Sequence, residues 1–136
     1  MKRIRKIIVI CSVCICMMLL ASCDTQQIEE KKLKDCDFTV MKDEAPKELV
    51  EIIEGKKEEP FQLTYADAGE LYIVVGYGKQ VGGGYSISVE ELYETENSIY
   101  ISTKLTGPEK DEKTKGNSYP YAIIKMEYVE KEVVFL

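Results

Sequence analysis

Histidine and tryptophan are absent from all 136 residues, and the only two arginines, Arg3 and Arg5, stand at the very start of the chain. Without histidine the commonest general base and the commonest metal ligand are missing. Without guanidinium forks in the body of the chain, bidentate recognition of phosphate is excluded. Positive charge is scarce too. Taking Lys2, Arg3, Arg5 and Lys6 away from eighteen basic residues leaves fourteen against twenty-four acids, a net charge near −10 beyond the first six positions. Nucleic-acid binding, which depends on clustered positive charge, is therefore not expected. Cysteine is rare after the first turns of sequence: of the five, Cys11, Cys14 and Cys16 fall in one apolar run, leaving Cys23 and Cys36. No internal disulfide framework follows from that arithmetic.

What the start of the chain does contain is a pattern. Lys2, Arg3, Arg5 and Lys6 precede fifteen mostly apolar residues, Ile7 to Ala21, the charged and apolar regions of an export signal. The run is shorter than the roughly twenty residues a membrane-spanning helix needs. A Cys-x-x-Cys inside a removed leader supports neither metal nor redox chemistry, so Cys11 and Cys14 are set aside. Leu20-Ala21-Ser22-Cys23 follows directly and resembles the lipobox of bacterial lipoproteins. That resemblance implies cleavage after residue 22 and a diacylglyceryl thioether on Cys23, often with an amide-linked acyl chain, and two or more chains anchor stably. The expected organisation is a signal peptide over 1–22, a polar tether over 23–37 and a β-rich domain over 38–136, extracytoplasmic and held to the membrane through lipid. Cys36, between Asp35 and Asp37, reads as an unpaired and unreactive thiol, because neighbouring carboxylates raise a thiol pKa.

The domain region reads mainly as strands. Phe38 to Met41 is a short one; Ala45 to Gly55 is the single helix, with Pro46 at its first position, Leu49, Ile52 and Ile53 on one face and Gly55 as a left-handed cap. Phe61 to Tyr65 suggests another strand. Leu71-Tyr72-Ile73-Val74-Val75 is continuously apolar and β-branched, the mark of a strand buried on both faces and the expected centre of the sheet. Tyr85, Ile87 and Val89 alternate with Ser86, Ser88 and Glu90, and Ser98 to Leu105 repeats the alternation, so these two form an antiparallel hairpin. On a regular strand Glu90 and Glu91 would point to opposite faces. Gly107 to Ser118 reads as a polar surface loop, Tyr119 to Met126 as a strand with Pro120 at its beginning, and Val133 to Leu136 as a last one. The fold class expected is mainly β, an antiparallel sandwich or strongly bent sheet with one short helix; α+β is the alternative.

Between the apolar run and the hairpin lies Gly76-Tyr77-Gly78-Lys79-Gln80-Val81-Gly82-Gly83-Gly84-Tyr85, with five of the nine glycines. It is no phosphate cradle: Gly78-Lys79 lacks the following Ser or Thr, and a strand rather than a helix comes next. Ser86 and Ser88 have no histidine to activate them, and clusters such as Asp111-Glu112 lack the spacing of a calcium loop. No cofactor or metal is expected. Two glycines suffice for a tight hairpin, so the surplus suggests backbone exposed for a partner. Tyr77, Gly78, Lys79, Gln80, Gly82, Gly83, Gly84 and Tyr85 are the candidate contact residues, with Tyr77 and Lys79 at the rim and Tyr85 at the base.

Gly83-Gly84-Tyr85 running into a strand, and Pro120-Tyr121-Ala122-Ile123-Ile124-Lys125 later, resemble the signature of the PrcB C-terminal domain family. Gly82 stands where that pattern has Thr, and Val81 where it often has Pro. The family is named for a subunit that associates with and stabilises a cell-surface protease. The resemblance implies a non-catalytic protein-binding module with a protease as partner. Two other readings stay open. The chain also resembles, more weakly, chagasin-type protease inhibitors, whose inhibitory loop ends in Thr-Gly-Tyr but opens with an Asn-Pro-Thr missing here; and an enzyme of unrecognised type would need a Lys, Tyr or carboxylate pair in a pocket.

Overall fold

The computed structural model describes residues 30–109 and 114–136. The leader, Cys23, the tether up to residue 29 and the Asp111-Glu112 cluster lie outside the described residues. In chain order the elements are β1 (Lys34–Asp35), β2 (Thr39–Met41), α1 (Lys47–Lys56), β3 (Pro60–Asp67), β4 (Glu70–Tyr77), β5 (Gln80–Val81), β6 (Ser86–Glu94), β7 (Ser98–Thr106), β8 (Asn117–Ser118), β9 (Tyr121–Glu127) and β10 (Glu132–Phe135). Two four-stranded sheets, β1-β6-β7-β10 and β2-β9-β4-β3, pack face to face as an open sandwich, and β5 pairs with β8 as a small ribbon at one end. All pairings are antiparallel except β10 with β7. Among the described residues the fold is mainly β with one helix, as the alternation implies. No helix among the described residues is long and apolar enough to cross a membrane.

The apolar run 71–75 becomes β4, hydrogen-bonded to β3 on one side and β9 on the other. Its alternation divides two cores. Leu71 and Ile73, with Ala122, Ile124 and Met126 of β9, meet Leu92, Ile99 and Ile101 of the other sheet. Tyr72 and Val74, with Ile123, face the opposite way and take Leu49 and Ile53 of α1. Each fully buried aliphatic side chain stabilises the fold by about 1.5–3 kcal/mol. A helix of ten residues is too short to persist alone, so this contact is what holds α1 in place.

Three features depart from the sequence reading. Gly55 is not a left-handed cap: the helix continues to Lys56, with Lys57 in right-handed geometry donating its N–H to Ile53, and Ile52 is 40% exposed. A β-bulge places Val89 opposite Thr103 and Glu91 opposite Ser102, leaving Glu90 as the extra residue. Both Glu90 and Glu91 are therefore exposed, and the alternation is shifted by one so that Leu92 turns inward at 4% exposure. Residues 30–37, polar enough to suggest solvated tether, belong to the folded unit. Leu33 and Cys36 donate backbone hydrogen bonds to Glu94 and Leu92, while the Glu30 carboxylate accepts from Thr95 Oγ1 (2.5 Å), Asn97 Nδ2 (3.1 Å) and the Tyr100 hydroxyl (3.1 Å). A charged segment can join a sheet edge because pairing uses its backbone and leaves its side chains in water.

The shifted alternation also turns Glu94 inward, where Lys131 Nζ bonds its carboxylate at 2.6 Å and the Thr95 carbonyl at 2.8 Å. This ion pair ties the segment before β10 to the end of β6. The Lys131 ammonium is the main reason that the Glu94 carboxyl titrates below the usual range. A carboxylate depressed in the folded state contributes stability above its unfolded pKa and loses it as pH falls through the folded one. Replacing Lys131 with Ala should destabilise the domain by about 1.5–3 kcal/mol at pH 7, as for a lost hydrogen bond to a charged group. The difference from the parent should shrink as pH falls below about 4, measured by urea denaturation across pH. Gly55 sits in the helix with nothing within 4 Å of a Cβ placed on it, so Gly55→Ala should stabilise by about 0.5–1 kcal/mol in the same assay.

Candidate functional site

The glycine-rich stretch leaves β4 at the end of the sandwich where β4 and β7 finish and β6 and β9 begin. Gly76 has no room for a side chain, since a Cβ would lie 2.2 Å from the Phe61 ring. Gly78 turns at φ +70°, its Cβ position 2.9 Å from the Pro60 backbone nitrogen. Gly82 and Gly84 also have positive φ, at 82° and 85°. The surplus of glycine is thus accounted for within the domain, at turns and close approaches that a Cβ would strain. Entropy alone does not argue for a partner here.

The loop is braced rather than loose. Gly82 donates its N–H to the Gly116 carbonyl at 2.7 Å and accepts from the Ser118 hydroxyl at 2.6 Å, and the Gly83 N–H reaches Thr114 Oγ1 at 2.9 Å. The Tyr85 hydroxyl donates to the Val81 carbonyl at 3.0 Å, Gln80 Nε2 to the Tyr77 carbonyl at 3.1 Å, and Lys79 N–H to the Glu58 carbonyl at 3.2 Å. The Tyr77 hydroxyl and Thr103 Oγ1 share a hydrogen bond of 2.6 Å between the two sheets. Tyr85 is half-buried and pins the base of the loop through its hydroxyl. Thr114, Gly116 and Ser118 come from the stretch expected to be a plain surface loop. A two-residue strand has no period from which to read it.

Bracing sorts the candidate residues. Gly78 and Gly82 are buried, Tyr77, Gln80, Gly83 and Tyr85 are half-buried, and Lys79, Val81 and Gly84 are exposed. Val81 stands out at 65% exposure on the two-residue strand β5, and Tyr121 lies at the same end at 37%. Below Tyr77 an open groove of about 570 Å³ runs between the sheets, lined by Phe61, Gly76, Tyr77 and Thr103. The end of the sandwich therefore offers a fixed backbone, with Val81 and Tyr121 exposed beside it and the exposed ammonium of Lys79.

Elsewhere the chemistry is sparse. Ser88 lies opposite Lys104 in the β6–β7 register, both on the outer face of their sheet. Among the described residues no three Cys, Asp or Glu side chains gather as a metal site. Cys36 is a free thiol, partly buried against the sandwich core. Burial is what chiefly pushes its pKa up, with Glu94 next and Asp35 and Asp37 adding less, so the expected direction arises mainly from desolvation.

Residues 71–127, from the start of β4 to the end of β9, match the family described as PrcB C-terminal. No curated protein and no solved structure matches the chain. The matched stretch contains the glycine loop, the β6–β7 hairpin and the β5–β8 ribbon that braces the loop.

If the glycines are structural in this way, Gly78→Ala should cost about 1–3 kcal/mol in thermal unfolding, through positive φ and the clash with Pro60. Thr114→Val should leave the midpoint nearly unchanged and speed amide exchange at Gly83 alone. Equal effects on both readouts from the two variants would contradict the assignment.

Proposed function

With a PrcB C-terminal-like domain over residues 71–127 as premise, we propose that the chain is a lipid-anchored, extracytoplasmic, non-catalytic module that binds a cell-surface protease and stabilises it. The observation that carries the reading is the opposition of two ends. Glu30 is clipped onto Thr95, Asn97 and Tyr100 at one end of β6, while the glycine loop leads into its other end. The nine residues of β6 span about 30 Å at roughly 3.3 Å per residue. Seven Cα-to-Cα steps lead from Cys23 to Glu30, a reach of at most about 25 Å when extended. A domain lipidated at Cys23 would thus keep its clipped end toward the membrane and hold Lys79, Val81 and the loop backbone outward.

In this reading Val81 is the apolar contact and Lys79 a rim charge, while Tyr77, Gln80, Gly82, Gly83 and Tyr85 hold the loop in one shape before binding. Preorganisation of that kind lowers the ordering cost of association. The acidic character of the domain favours a partner with basic surface near the site and leaves nucleic acid aside.

Affinity purification from membranes tests both halves. Cys23→Ala should block maturation, leaving a precursor without lipid mass whose domain melts at an unchanged midpoint; normal processing and an unaltered lipid mass on that variant would refute the anchor. Val81→Asp should reduce co-purification of the protease by at least about tenfold, as for loss of an interface hot spot, while shifting stability by no more than about 0.5 kcal/mol. A stabilising subunit should lengthen the protease half-life and leave its turnover intact. Stoichiometric loss of activity would instead make the loop inhibitory.

A further inference from the structure

We propose that the free edge of β3 takes up an extended, uncharged segment of a partner protein as a fifth strand of its sheet. The inference rests on the reading of the chain as a protein-binding module, but not on the glycine loop or the lipid anchor.

The two sheets have four edges among the described residues, β1, β10, β2 and β3. Edges are ordinarily protected by shortness, charge or proline, because their unpaired N–H and C=O groups template further pairing. Three of these edges are protected in that way. β1 is two residues, both charged; β2 is three residues between Asp37 and Lys42; β10 is four residues and opens at Glu132 behind Glu130 and Lys131. β3 also has flanking charge, Glu58 and Glu59 before it and Asp67 at its end, but it is eight residues long and carries no charge over the seven from Pro60 to Ala66, in a chain where 31% of residues are charged and seven residues would hold about two. Its proline stands at the first position, where it interrupts nothing.

The edge also has space beside it. Gln62, Thr64 and Ala66 are exposed on the side facing the other sheet, and with Val133 and Phe135 they line an open groove of about 510 Å³. At Gln62 this groove meets the one of about 570 Å³ that runs under Tyr77. A strand laid on β3 would satisfy the edge with its backbone and send alternate side chains into the groove, which has the spacing of β-augmentation. Apolar groups would meet Val133 and Phe135 there; Lys131 and Glu132 share the lining, Lys131 already paired with Glu94, and along residues 60–66 a charge would meet no counterpart.

Two other occupants fit less well. The N-terminal residues of the chain join at β1, the edge of the other sheet farthest from β10. A second copy would bring together two chains each near −10 beyond the first six positions, and antiparallel pairing of two β3 edges would point their Glu30 ends in opposite directions.

The test uses the full-length chain in membranes, with a photoreactive benzophenone side chain in place of Gln62 or, separately, of Val81. Irradiation should link position 62 to a protein whose cross-linked peptide is uncharged over at least about six residues. Thr64→Lys, a solvent-exposed change that charges the edge, should cut that yield by at least about fivefold and leave the Val81 adduct unaltered. An adduct from Val81 with none from Gln62 overturns the edge while the protein-binding reading stands. Position 62 adducts made of two copies of this chain, or unmoved by Thr64→Lys, also overturn it. Failure at both positions removes the edge and the protein-binding reading together.

Discussion

A strand that is apolar on both faces has to be covered twice, and β4 imposes that demand on the whole domain. Leu71 and Ile73 require a second sheet; Tyr72 and Val74 require something on the other side, which the sequence supplies as one short helix. Neither cover is autonomous. The helix has two fully buried side chains, Leu49 and Ile53, and the β6–β7 hairpin has its aliphatic residues on one face, with Tyr93 and Tyr100 stacked on the other. Both acquire stability by docking on β4, so the three layers form together or not at all. The glycine loop inherits its position from the same strand, because Gly76, next to last in β4, lies against the ring of Phe61, which leaves no space for a bulkier residue there.

Patterns with several repeats were legible in the sequence. The apolar run of β4, the alternation in β6 as far as Val89 and in β7, and the aliphatic run behind Pro120 each involve several residues constrained in the same way, and β4, β6, β7 and β9 include those runs. What escaped prediction depends on single backbone events or on partners distant in sequence. One extra residue at Glu90 reverses the facing of everything after it, and nothing in Ser88-Val89-Glu90-Glu91-Leu92 except Leu92 itself signals the shift. Gly55 looks like a helix stop, yet the following lysines prolong the helix by a turn's end.

The same limit applies to the site. Tyr77, Gly78 and Tyr85 were recognisable as loop residues, but Thr114, Gly116 and Ser118 brace that loop from more than thirty positions away through backbone and hydroxyl contacts that carry no hydrophobic period. The tether misled for a related reason. Composition describes side chains, whereas Leu33 and Cys36 join the sheet through their amides, and Glu30 is held by hydroxyl and amide donors that themselves look like ordinary turn residues.

The docking of residues 30–36 has a mechanical side. The segment lies antiparallel to the end of β6 and leaves the domain in line with that strand, beyond Thr95. Backbone hydrogen bonds in a sheet run perpendicular to the strands. Tension drawn out through residue 30 along the strand axis therefore loads the bonds of Leu33, Cys36 and the Lys34–Glu94 pairing side by side, in shear. The same tension applied across the sheet would meet them one at a time and peel the segment away. The clip at Glu30 adds three more bonds at the point where the load arrives. A pull between the two ends of the sandwich is thus resisted by a lap joint, and a sideways pull by a zipper.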